Sequence, residues 1–452
     1  MDRAAQESLA AALLDAARAA GAEAADVVIA HGTSLSAETR DGRLEHAERA
    51  EGVDLGLRVL LGRRQACIST SDRRPANLTA LAERAVAMAK VAPEDKWCGL
   101  AEPSQLAPEA ARDAGRLMLD DPDGAPSPES LEADALAAEA ACAAIDGVAQ
   151  VGGAGASWSR TSIYLAASNG FFGGYARAHA TIFASAIAGK GLGMESDHAA
   201  ETRRARALVP SAEEIGALAG RRAVERLSPR RAPTGPAPVL FDQRVSASLI
   251  GHLAGAANGS SVARGSSWLK DRLGERVLPK GFDLREDPLR VGGPASRPFD
   301  GEGILARPRD MVADGVLTGW TLDLASGRQL GMATTGNAGR GMSSPPSPSV
   351  TNMTLTAPGS TRAQMLARMG RGLLITSLIG SSINANTGDY SRGASGFWIE
   401  NGEIAFPVNE LTIAGNLHAM LAALEAGDDA DLNRGAIVPS LMIPRGLTVA
   451  GG

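Results

Sequence analysis

The chain has 452 residues, 44% apolar and 21% charged, with a formal net charge of −6. That length exceeds one ordinary core, so two or three globular domains are expected. The acidic balance argues against a dedicated nucleic-acid binder, whose domain would be net basic, and no apolar run reaches the roughly 18 residues of a membrane-spanning helix.

The N-terminus, Met1-Asp2-Arg3-Ala4-Ala5-Gln6-Glu7, is acidic and runs straight into helical periodicity. It makes a poor secretion signal, and a cytoplasmic location is expected. Leu9, Leu13, Leu14 and Ala17 place an amphipathic helix over 4–20, closed by Gly21. A short strand at 26–30 follows, then hairpins over 34–70 turning at Asp41-Gly42. A helix from about Pro75 to Val91, with Asp72 as its cap, completes a small α+β domain over 1–91. Residues 92–126 hold Pro93, Pro103, Pro108, Pro122 and Pro126 among many acids and read as a connector.

Ser127-Pro128 is a helix start, with serine at the cap and proline at the first helical position. The alanine-rich helix to Ile145, strands at 147–157, 161–168 and 174–188, a turn at Ser168-Asn169-Gly170 and a helix over 211–227 form a middle α+β domain, 127–227. The linker 228–237 carries Pro229, Pro233, Gly235 and Pro236 and is the clearest boundary in the chain. Beyond it, 238–452 reads as a β-rich domain with helices at 243–258, 361–371 and 414–426. The expected class is α+β throughout.

Cys67, Cys98 and Cys142 are far apart and odd in number, which suggests buried small residues and no disulfide framework. The arginines Arg203, Arg204, Arg206, Arg221, Arg222, Arg226, Arg230 and Arg231 alternate with Glu201, Glu213, Glu214 and Glu225, the pattern of a solvated helix face and a linker. Paired Asp300 and Glu302 flank a glycine and read as loop caps. Gly251, Gly255 and Gly259 have a spacing that suggests close helix packing, and no glycine run leads into a phosphate-binding helix with its lysine.

The densest functional signal is the run from Asn386 to Leu417. It joins Thr387-Gly388-Asp389-Tyr390-Ser391-Arg392-Gly393 to a hairpin over 397–406 whose two-residue turn, Asn401-Gly402, is of type I′. Asn386, Asp389, Tyr390 and Arg392 are candidates for a peptide-accepting cleft, or for a structural loop in which Asp389 pairs with Arg392 and Tyr390 packs the hairpin.

This run resembles the C-terminal domain of the TldD/PmbA family, often labelled "modulator of DNA gyrase", and more closely its PmbA (TldE) branch. Gly251-His252-Leu253, Arg297-Pro298-Phe299-Asp300-Gly301-Glu302-Gly303 and Asp314-Gly315-Val316-Leu317 fall in the family's order. The resemblance implies a two-subunit zinc metallopeptidase acting on unfolded peptides, in which a TldD-like chain supplies the metal through an HExxxH helix. On the corresponding helix this chain has His252 alone: Leu253 stands in the glutamate position and Ala257 in that of the second histidine. One imidazole does not hold zinc. No catalytic or metal-ligating residue is therefore expected in the chain, and no cofactor of its own; zinc is expected only in a TldD-like partner.

The implied role is a non-catalytic subunit in peptide degradation, peptide-antibiotic maturation or antitoxin turnover. The alternatives are a stand-alone homodimer that binds peptides or proteins, and a regulator of DNA gyrase. Expected partners are a TldD-like subunit or a second copy, with peptide substrates, no direct nucleic acid and no membrane.

Overall fold

A computed structural model describes residues 1–451. Its N-terminal half is built on one antiparallel sheet of β1 (Ala24–Arg40), β2 (Arg43–Leu61), β3 (Arg64–Thr70), β4 (Val148–Ala167), β5 (Phe172–Ala188) and β6 (Glu195–Arg203), in the order β3-β2-β1-β4-β5-β6. The tight turns fall where their residues demand. Asp41 and Gly42 take φ of 54° and 68° between β1 and β2, and at the β4–β5 turn the Asn169 carboxamide accepts from the Phe171 N–H at 3.2 Å.

The sequence segments 1–91 and 127–227 share this sheet, because β1 pairs with β4 from Asp26 to Thr39. β4 runs unbroken through 158–160, where a gap between strands was expected, since both neighbours, β1 and β5, hold it along its length.

One face of the sheet is closed by four helices: α1 (Arg3–Ala19), α2 (Pro75–Val91), α3 (Pro128–Ala143) and α4 (Ala212–Glu225). Leu13, Leu81 and Val86 pack on Val27, Ile29, Leu55 and Leu57; Leu131, Cys142 and Ile215 pack on Ala156, Ala180 and Ile182. The helices begin where their caps allow. Asp2, Ser127 and Ser211 each accept a main-chain N–H of the first turn, and Ser211 with Glu214 forms a capping box. Asp72 does not cap α2; it takes the Arg74 N–H and the Asn77 side chain, and Arg74 holds the cap position. Gly216 lets α4 close on α3, because a Cβ there would lie 2.0 Å from the Ala138 carbonyl oxygen.

Strand alternation sends Val28, Ile163, Leu165 and Tyr175 to the opposite face, where Phe171 and Phe299 join them. Phe299 meets Phe171 edge-on at 5.0 Å and Tyr175 at 5.6 Å, fastening the sheet to the C-terminal domain. Beside this contact, buried Asp26 is clamped between Arg58 and Arg340, with Arg340 Nε at 2.9 Å. The segment 92–126 is an ordered strap: the Ala107 N–H donates to Gly303, and Ala101, Ala107, Leu117 and Leu119 are buried.

The C-terminal domain is centred on a nine-stranded sheet in which Val239–Phe241 lies between Leu441–Ile443 and Gly372–Ile383. The long hairpin Asp389–Glu400 and Glu403–Asn416 continues it, turning at Asn401 (φ 54°) and Gly402 (φ 78°). α5 (Ala247–Ala256) lays Leu249, Ile250 and Leu253 into the core of this domain. The helix expected over 414–426 is confined to Leu417–Ala422. Residues 412–415 are held as strand by Leu447–Ala450, which pairs along them.

Candidate functional site

The elements singled out by sequence meet at α5 and the start of the Asp389–Glu400 strand. Leu249, Ile250 and Leu253 on α5 and Ala257 at its C-cap are fully buried, which leaves His252 at the margin of the core. Its ring meets Tyr390 edge-on at 5.9 Å, and its Nε2 is buried with no hydrogen-bond partner. Burial holds the imidazole below its ordinary pKa, and the nearby Arg392 adds to the effect, so the ring is neutral at pH 7. Tyr390 is 2% exposed, its hydroxyl also lacks a partner, and burial pushes it to about 12.

The structure brings Tyr390, Arg392 and His252 together and leaves the other two candidates out. Asp389 and Arg392 stand three apart on a strand and so face opposite sides. The expected pair between them does not form. Asp389 accepts from the Thr387 hydroxyl at 2.6 Å and the Asn416 amide at 3.0 Å, which lower its pKa, while Arg392 Nε donates to the Gly380 carbonyl at 2.7 Å. Asn386 lies in the exposed turn before the strand and donates its N–H to Asn384.

Gly251 and Gly255 do not serve helix packing either. Both are exposed, with nothing within 4 Å of a Cβ; only Gly259 is crowded, by Leu322 at 2.4 Å and the Thr321 carbonyl at 2.8 Å. Asp300 and Glu302 are loop caps: Asp300 takes the N–H groups of Glu302, Ile304 and Ala338, and Glu302 takes that of Leu324. Of the cysteines, Cys142 alone is fully buried, and Cys67 and Cys98 are partly buried.

The residues around His252 do not fit a zinc site. Leu253 and Ala257, where a base and a second ligand would stand, are 0% exposed and part of the core. The charged neighbour of the imidazole is a guanidinium, which repels a cation. Among the described residues no group of three or more His, Cys, Asp and Glu side chains converges as a metal centre requires.

Arg177, Arg290 and Arg340, which with Arg297 line the cleft between the sheet and the C-terminal domain, were not singled out by sequence. They come from separate strands and loops and share no spacing. The one available signal was the Arg297-Pro298-Phe299-Asp300 block.

The chain thus joins a half with four helices on one face of its sheet to a β-rich C-terminal domain, and among the described residues no cluster of possible metal ligands accompanies His252 on α5. Three family models match along the chain: PmbA/TldA metallopeptidase domain 1 over 25–89, the central domain over 121–227 and the C-terminal domain over 234–451. The chain is 35% identical to Metalloprotease PmbA of Escherichia coli O157:H7, over 95% of this chain and 92% of that one. It is also 35% identical to a Metalloprotease PmbA homolog of Haemophilus influenzae, over 91% and 89%.

Two crystal structures share the fold. A protein of Bacteroides thetaiotaomicron proposed as a modulator of DNA gyrase matches with a TM-score of 0.88 and 24% identity, over 99% of both chains. TldE from Thermococcus kodakarensis matches with a TM-score of 0.84 and 19% identity, over 98% of this chain and 100% of that one. The chain belongs to the PmbA/TldD metallopeptidase family.

Proposed function

We propose that this chain is the metal-free subunit of a TldD–TldE-type zinc metallopeptidase, positioning unfolded peptides for a TldD-like partner that supplies the metal. The observation that carries this reading is α5. Its single imidazole is followed by buried Leu253 and, five positions on, buried Ala257; its Nε2 is buried without a partner and Arg392 is nearby. Supplying the missing acid at position 253 would put a carboxylate into the core, a change costing several kcal/mol at least.

The test is reconstitution. The purified chain is expected to leave an unfolded peptide such as reduced casein intact, and to form a complex that cleaves it when mixed with a TldD-like chain from the same organism. A mixture that neither associates nor cleaves refutes the reading. Cleavage by the chain alone refutes it as well. The proposed role is that of a cytoplasmic subunit; among the described residues no helix is long and apolar enough to cross a membrane.

A further inference from the structure

The cleft between the sheet and the C-terminal domain contains a chamber of about 390 Å³, within the range of small-ligand sites. Its floor is apolar, made of Val28, Ile163, Leu165 and Phe299. Its rim is cationic: Arg177 from β5, Arg297 from the loop before Phe299, and Arg340.

Arg177 and Arg297 form no ion pair, although Asp300 lies close enough to Arg297 for their charges to act on one another. Arg177 donates to the carbonyls of Pro294 at 3.0 Å and Ser296 at 3.1 Å and to the Tyr175 hydroxyl at 3.4 Å. Arg297 donates to the carbonyls of Ala338 at 3.0 Å and Ser349 at 3.2 Å. Asp300, the carboxylate lining the same chamber, commits its oxygens to three main-chain N–H groups. Each of the three arginines also keeps one buried nitrogen without a partner: Arg177 Nε, Arg297 Nε and Arg340 Nη2. The Arg340 side chain is only 2% exposed.

Arg177 and His179 are shared with an adjoining chamber of about 220 Å³ that adds Arg203, Arg204 and Arg290. Arg340 already has Asp26 as its partner, so Arg177 and Arg297, half-buried and bonded to neutral oxygens, are the cations to which an anion adds a charge-assisted hydrogen bond.

We propose that the larger chamber seats the C-terminal residue of an extended peptide, with its carboxylate against Arg177 and Arg297 and its apolar side chain on the floor. Guanidinium groups pair with carboxylates through two parallel hydrogen bonds, which gives the contact direction as well as strength. The occupant is inferred from an apolar floor beside a cationic rim, which suits an apolar residue ending in a free carboxylate better than an inorganic anion. The choice of a peptide rests on the reading of the chain as a peptide-handling subunit.

The test is calorimetric titration of the full chain with acetyl-Ala-Ala-Leu as free acid, the same peptide as C-terminal amide, and inorganic phosphate. The free acid is expected to bind about tenfold or more tightly than the amide, and phosphate to compete weakly because it brings charge without an apolar side chain. Arg297→Gln is expected to erase the preference for acid over amide. Thr161→Phe, which fills the chamber without removing a charge, is expected to weaken the acid by about tenfold while the circular dichroism spectrum stays that of the wild type.

Equal binding of acid and amide, phosphate binding tighter than the acid, or wild-type affinity in both variants would overturn the inference. A reconstituted mixture that cleaves peptides while the isolated chain ignores the free acid would break this inference and leave the subunit assignment standing. The reverse result would do the opposite.

Discussion

Two buried polar regions of this molecule are built on opposite principles. At the joint between the halves, Asp26 is pinned by Arg58 and Arg340, and their side chains are 4%, 4% and 2% exposed. The charges compensate one another across 314 residues of chain. At the α5 corner, His252 Nε2 and the Tyr390 hydroxyl are buried without partners. The joint uses charge to fix how two halves meet. The two polar atoms at the corner lack partners, so they do not help to hold the fold.

Breaking the joint gives the largest expected effect. Asp26→Ala leaves two buried guanidinium groups without a counter-charge, and denaturant unfolding should show a loss of about 3–5 kcal/mol. A loss under 1 kcal/mol would remove the distinction between the two regions. The joint is also sensitive to acid. Asp26 is depressed below its ordinary 3.8 by its arginines, against the upward push of burial. Its contribution is present above the unfolded pKa and disappears as pH falls through the lower, folded one.

Glu302, close by, has the opposite sign. Burial, then Asp300 and Asp323, push it well above 4.5. Its contribution is complete below about pH 4.5 and is lost as pH rises through its folded pKa. Glu302→Gln, which keeps the acceptor for the Leu324 N–H, should therefore stabilise the protein more at pH 8 than at pH 5. Thermal melts of the variant and the wild type at the two pH values check this.

The smallest effect is expected at the corner. Tyr390→Phe removes a buried hydroxyl that lacks a hydrogen-bond partner, so stability should stay level or rise by up to about 1 kcal/mol. A loss above about 1.5 kcal/mol would mean that the hydroxyl is bonded and the corner is not the idle site described.

What the sequence made legible was local. The turns at Asp41-Gly42 and Asn401-Gly402 and the caps at Ser127 and Ser211 depend on a few adjacent residues, and each formed where its chemistry placed it. What it hid was decided far along the chain. β1 finds β4 across the α2 helix and the strap, which fuses segments that look separate. Ala414 and Gly415, expected at the start of the last helix, are claimed as strand by Leu447–Ala450. The basic cluster is divided by the fold: Arg206 pairs with Asp134 and Arg226 lies against Glu195 and Asp197, while Arg203 and Arg204 line a cleft with arginines from other segments. The absence of ligands beside His252 was readable directly, because it depends on residues one and five positions away.

Zinc stoichiometry is the most direct measurement. After purification with zinc in the medium and extensive dialysis, elemental analysis of the chain alone should find far less than one zinc per chain, with no difference between the wild type and His252→Ala. One tightly held zinc per chain, lost on that substitution, would contradict the account of α5 as a metal helix without its metal.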